Sequence, residues 1–209
     1  MNHRNLPGFL NPMLRAAQRA PHDRWLAGIA GALGALAPVL AFANPTGGQV
    51  VAGSATIGSA GSNGVIVNQN SQRAAINWQQ FSIGSNEYVQ FNQPNSSSVV
   101  LNRVTGSNPS SIFGQIRANG QVFLINPNGI LFAPGSSLDV SGLTASTLDI
   151  SDADFMAGRY VFSRDPGSSA ATVVNQGNLT VTSGGYVVHS GDYVANDGVI
   201  QAQAGRVVL

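Results

Sequence analysis

From residue 44 onward, apolar side chains come in short runs separated by clusters of Gly, Asn and Ser. Gly64-Val65-Ile66-Val67, Tyr88-Val89-Gln90-Phe91, Val99-Val100-Leu101 and Gln121-Val122-Phe123-Leu124-Ile125 are such runs, and their length and bounding residues predict β-strands. Ile125 and Ile130-Leu131-Phe132 flank the tight turn Asn126-Pro127-Asn128-Gly129. Pro127 presets φ at the second turn position, Asn128 tolerates the third and Gly129 suits the fourth, the preferences of a type I turn. Two helical turns are predicted as well. Asn108-Pro109 offers an N-cap and a first-turn Pro ahead of Ser110 to Arg117. Ser151-Asp152-Ala153-Asp154 forms an approximate capping box ahead of Phe155-Met156-Ala157.

The last third of the chain repeats. Asn175-Gln176-Gly177-Asn178-Leu179-Thr180-Val181 aligns with Asn196-Asp197-Gly198-Val199-Ile200-Gln201-Ala202 at an offset of 196 − 175 = 21 residues. The same offset sets Gly184-Gly185-Tyr186-Val187-Val188 against Gly205-Arg206-Val207-Val208-Leu209. Each unit reads as turn, strand, glycine turn, strand, which points to a solenoid. One unit per coil predicts a parallel β-helix with coils about 4.8 Å apart, Val, Leu and Ile inside, and Asn residues stacked at equivalent turns. With ~166 residues after position 43, about eight coils and a length near 40 Å are expected. Trp78, Phe81, Phe91, Phe123 and Phe132 concentrate bulk in the first half, where an open end needs a plug. Val207-Val208-Leu209 is a bare apolar strand in mid-repeat, so the domain is expected to continue beyond residue 209.

Residues 1–43 have a different character. Arg4, Arg15, Arg19 and Arg24 give a basic leader, Trp25 to Phe42 is apolar, and Ala41-Phe42-Ala43 ends it with small residues at the outer positions. This predicts a signal peptide cleaved between Ala43 and Asn44. Beyond it remain six Arg and eight acidic residues, a net charge of 6 − 8 = −2, so no nucleic-acid footprint is present. Only 9% of all residues are charged, against roughly 25% in ordinary globular domains. Uncharged polar side chains suit stacked strands, on which like charges would repel. Cys is absent, so burial and hydrogen bonds alone must hold the fold.

Candidate chemistry is sparse. His189 is followed by Ser190-Gly191-Asp192, but neighbours on a strand point to opposite faces, so this run is no triad. His189 is expected at the surface or in a turn. Asp149, Asp152 and Asp154 form the densest carboxylate group, yet they lack the glycine and distal Glu of an EF-hand loop, and helix capping accounts for Asp152 and Asp154. No metal, cofactor or catalytic residue is assigned. A β-helical carbohydrate-active enzyme would need carboxylates clustered on one groove, and here they are scattered.

Several blocks in one order carry a resemblance. Ile76-Asn77-Trp78-Gln79-Gln80-Phe81, Phe91-Asn92-Gln93-Pro94-Asn95-Ser96-Ser97-Ser98-Val99-Val100-Leu101-Asn102-Arg103-Val104, Ala118 to Leu124 and Ile125 to Ile150 closely resemble the secretion domain of the filamentous-haemagglutinin family, the exoproteins of bacterial two-partner secretion. The resemblance implies an all-β fold, a right-handed, single-stranded, pectin-lyase-like parallel β-helix with an N-terminal cap and short extra-helical hairpins over residues 44–209. It implies that Asn126, Pro127, Asn128 and Gly129 form a motif needed for secretion through a cognate outer-membrane transporter. The family's second motif, Asn-Pro-Asn-Leu, is not intact here; Asn92-Gln93-Pro94-Asn95-Ser96 is the nearest stretch. Asn92, Asn95, Asn102 and Arg103 are therefore candidates for transporter recognition. The implied route runs through the periplasm to the surface or exterior of a Gram-negative bacterium, with a host or neighbouring-cell surface reached through a downstream region. A surface-binding adhesin module is the alternative reading.

Overall fold

The computed structural model describes residues 44–164 and 166–209. The leader and Ala43, and with them the expected cleavage site, lie outside the described residues. The apolar runs do become strands, and the strands stack in parallel into a three-faced β-helix. One face is built from β3 (Gly64–Gln69), β5 (Tyr88–Asn92), β8 (Gln115–Ala118), the first half of β11 (Ser137–Ser146), the first half of β13 (Asn178–Ser190) and β15 (Val199–Ala202). A second is built from β4 (Arg73–Trp78), β6 (Val99–Val104), β9 (Gln121–Ile125), the second halves of β11 and β13, and β16 (Arg206–Val208). The third is shorter: β7 (Ser110–Ile112), β10 (Ile130–Phe132), β12 (Thr172–Asn175) and β14 (Tyr193–Asn196). Two antiparallel strands, β1 (Gln49–Ala52) on β4 and β2 (Ala55–Ser59) on β3, form the N-terminal cap.

Each of the first two faces has six rungs, not the eight expected. Residues 44–63 go into the cap, and residues 147–164 and 166–171 leave the spiral between β11 and β12, so fewer residues wind into coils. Ser110 to Arg117 is not helical. Ser110–Ile112 pairs with β10 in parallel, and Gln115–Ala118 lies between β5 and β11. Ladder pairing on both sides outweighs the Asn-Pro helix-start signal, because local propensity is weaker than an edge already waiting for a strand. The other predicted helix is present: α1 (Asp152–Met156) starts at Ser151, whose side chain accepts from the Asp154 N–H at 3.1 Å.

Register accounts for the core. On the first face Val65, Val89, Ile116, Leu138, Leu179 and Ile200 stand in one inward column. On the second, Ala74, Val100, Val122, Leu143, Val187 and Val207 do the same. Burying each such Val, Leu or Ile contributes about 1.5–3 kcal/mol. The 21-residue offset holds from Asn175/Asn196 to Val181/Ala202. It shortens to 20 afterwards, where Tyr186 pairs with Arg206 and Val187 with Val207. The turn before β16 is one residue shorter, and without that correction every side chain of β16 would face the wrong way. The expected Asn stacking is present where Asn175 Nδ2 donates to Asn196 Oδ1 at 2.7 Å.

Four of the five bulky aromatics, Trp78, Phe81, Phe91 and Phe132, fill the interior. Trp78 and Phe81 meet edge to face near the capped end, with centroids 5.6 Å apart. Phe123 differs. It points outward with Ala75, Val99, Leu101 and Ile125, and the 147–163 excursion covers this outer patch with Ile150, Phe155, Met156 and Phe162. The middle strands of the second face are thus apolar on both sides, which explains why Val122 to Ile125 reads as an unbroken apolar run.

Candidate functional site

The turn at Asn126-Pro127-Asn128-Gly129 forms the corner between the second and third faces. It is the tight turn expected: the Gly129 N–H donates to the Asn126 carbonyl at 3.1 Å, and Gly129 takes φ +113°, a conformation that L side chains rarely adopt. Asn126 is wholly buried and is tied to three coils. Its Nδ2 donates upward to the Asn108 carbonyl and the Ser110 hydroxyl, both at 3.0 Å. Its Oδ1 accepts from the Asn128 N–H at 2.9 Å within the turn, and its own N–H donates to Ser146 O at 3.0 Å in the coil below. Asn128 adds a peg, Nδ2 to the Gly106 carbonyl at 2.9 Å. The two Asn side chains therefore do for this corner what backbone ladders do for the strands: they satisfy buried groups and set the height of the next coil.

Pro127 and Asn128 form a ridge between two shallow clefts. One cleft is lined by Arg103, Val104, Thr105, Gly106 and Asp149, the other by Ser107, Pro109 and residues 168–171. Arg103 on the floor of the first cleft is fully occupied. Its Nε pairs with Asp149 Oδ1 at 2.7 Å, its Nη1 with Asp152 Oδ1 at 2.7 Å and Asn77 Oδ1 at 3.2 Å, and its Nη2 donates to the Ile150 carbonyl. Burial pulls its pKa down, but hydrogen bonds and charge from Asp149 and Asp152 more than reverse this, leaving it raised. Arg103 thereby clamps the root of the 147–163 excursion onto the second face.

The structure brings Arg103 beside the Asn126–Gly129 turn but holds the remaining candidates apart from it. Asn102 points inward and is buried; it accepts from Trp78 Nε1 at 3.0 Å and donates to the Phe123 carbonyl at 3.2 Å. Asn92 and Asn95 lie at a different corner. Asn92 donates to Asn68 Oδ1 at 2.8 Å, and Asn95 caps its own loop by accepting from Ser97 N–H at 3.0 Å and donates to Gln72 Oε1 at 3.1 Å. Asn44, half-buried, donates to the Ser62 carbonyl at 3.4 Å. Sequence reasoning missed Asn108 and Ser110 as partners of Asn126, and Asp149 and Asp152 as partners of Arg103. The Arg103 pairings span 46 and 49 residues, and no local pattern announces them.

His189 is not at the surface. The residue is 2% exposed, and its ring stacks on Phe132 with centroids 5.9 Å apart. The alternation of β13 places it inside, two residues after buried Val187. Asp192 turns the other way, accepting from the Ala171 N–H at 2.8 Å and pairing with Arg164. The His189-Ser190-Gly191-Asp192 run thus makes no joint site.

Comparison with known proteins matches residues 41–209 to the TPS secretion domain family. Among solved structures, the HMW1 secretion domain from Haemophilus influenzae superposes with a TM-score of 0.74 and 40% identity, over 79% of this chain and 44% of that one. Two Haemophilus influenzae proteins named heme/hemopexin-binding protein are 43% identical over 106 residues and 39% identical over 116. These alignments take in 51% and 56% of this chain but 12% of each relative, so the chain spans only a small part of the curated relatives it matches.

Proposed function

The chain belongs to the TPS secretion domain family, and from that membership we propose that residues 44–209 are the secretion signal of a two-partner secretion exoprotein, recognised by a cognate outer-membrane transporter. This family is a secretion domain of adhesin-like exoproteins, not an enzyme family. Residues 1–43 direct the chain to the periplasm, the domain engages the transporter there, and it completes its fold outside the cell. The observation that best supports this reading is the Asn126–Gly129 corner. It carries the family's motif, it is pegged to coils above and below, and its Pro127-Asn128 ridge stands between two clefts at the surface.

The lowest rung supports the second half of the proposal. β14, β15 and β16 lack a strand beneath them in the described residues, and Tyr193, Val199, Val207 and Val208 are each at least 45% exposed there. An edge of this kind offers unpaired N–H and C=O groups to the next strand, so coils already folded template coils that arrive later. That stepwise stacking favours outward movement of a downstream adhesin or toxin passenger.

Recognition in the periplasm is testable in vitro. The purified periplasmic region of the cognate transporter, immobilised, should capture the chain freshly diluted from urea. An Asn128→Lys chain, whose bulk and charge break the peg to Gly106, should be captured at least tenfold more weakly. Failure to capture the unsubstituted chain in any state would overturn the recognition proposal.

A further inference from the structure

His189 stands in an inward column beneath Ile76, Asn102, Leu124 and Ala145. The ring stacks on Phe132 of β10, and the interior it shares is otherwise lined by apolar side chains such as Leu143 and Ala145 from β11, Val173 from β12, Val194 from β14 and Ile200 from β15. Neither ring nitrogen has a hydrogen-bond partner. The titratable side chains on these strands, Asp139, Tyr193 and Arg206, are all exposed on the outside, Tyr186 of β13 itself bonds outward to Gln121, and Asp192 beyond the strand end is engaged by Arg164. A positive charge on this imidazole would therefore have no hydrogen-bond partner in place and, among the described residues, no ion-pair partner.

We propose that His189 makes the lower coils an acid-releasable segment: proton uptake by its imidazole favours detachment of β12–β16 from β10 and β11, while the capped coils above stay closed. Solenoids permit this division because each coil contacts only its neighbours. The inference does not depend on the secretion role. Burial lowers the His189 pKa from 6.5 to about 4. The closed state thus binds fewer protons than the opened one whenever pH falls below 6.5. Stability of the lower coils is full above that value and declines as pH approaches 4. At pH 5 the opening constant should exceed its value at pH 8 about 30-fold.

Hydrogen exchange of the intact chain at pH 8 and pH 5, corrected for intrinsic rates, tests this directly. Protection in 172–209 should fall ~30-fold while that in 64–104 holds, and His189→Gln should abolish the difference. Equal loss in both segments, or an unchanged drop in His189→Gln, would overturn the proposal. Should that variant fold poorly, NMR titration of the unsubstituted chain decides: the His189 ring must stay neutral at pH 5, and a folded-state pKa near 6.5 refutes the idea.

Discussion

Replacing Asn126 with leucine should destabilise the domain by about 3 kcal/mol and leave most of the precursor in the periplasm. Leucine keeps the branched shape of asparagine and suits a buried site, but it is larger, so some overpacking adds to the loss. What is lost is the set of bonds that only a carboxamide can make here. The Asn108 carbonyl, the Ser110 hydroxyl and the Asn128 N–H all lose their side-chain partner in one step. Each buried polar group left unmade costs about 1–3 kcal/mol, with partial rescue by water near the Asn128 ridge. Urea midpoints will report the stability, and fractionation of cells carrying the transporter will report the export. Asn126→Asp should fall between the two, since it keeps the acceptor for Asn128 N–H and loses both upward donations. If Asn126→Leu were exported at the normal level despite the lower urea midpoint, the motif would be a stability element alone.

Arg103→Met should cost about 2–3 kcal/mol and act on one part of the molecule. Removing one partner of a buried ion pair costs about 3–5 kcal/mol. The side chains of Asp149 and Asp152 are 27% and 41% exposed, so they regain some hydration and the loss is smaller. The damage falls on the 147–163 excursion, whose root is fastened by Arg103. Once the root loosens, Phe155 and Phe162 leave Phe123 and the outer patch of β4, β6 and β9 is uncovered. A fall in melting temperature of about 5–10 °C is expected, with hydrogen exchange rising first in 147–163 and the interior coils still protected. Adding Asp149→Asn to Arg103→Met should cost little more, because the two act through one contact. Unchanged protection of 147–163 in Arg103→Met would show that the apolar patch alone holds the excursion.

Much of this fold was legible because its grammar is local and repeated. Runs of three to five apolar residues between Gly, Asn and Ser define strands one after another, and the Asn175/Asn196 repeat fixes how one coil sits on the next. The Asn126 turn was legible for the same reason, its geometry being set within four residues. What escaped notice depends on distance along the chain. Ser110 to Arg117 reads as a helix until β10, β5 and β11 are present to pair with it. The change of offset from 21 to 20 before β16 comes from one residue in a turn, which a repeat pattern averages away. His189 looked like a surface residue because a polar side chain in an Asn-rich, Gly-rich strand normally is one, and only the in-and-out order relative to Val187 places it inside. The secretion role proposed for the Asn126 corner rests on resemblance; the bonds that tie it to three coils could be seen only in the folded chain.

These residues are proposed to be an address read by a dedicated pore. The most direct test fuses the whole 209-residue chain to a reporter that cannot leave the periplasm by itself and measures the reporter in the medium, with and without the cognate transporter. Reporter should be found outside only when the transporter is present, and confined to the periplasm when it is absent. Equal amounts in the medium under both conditions would contradict it.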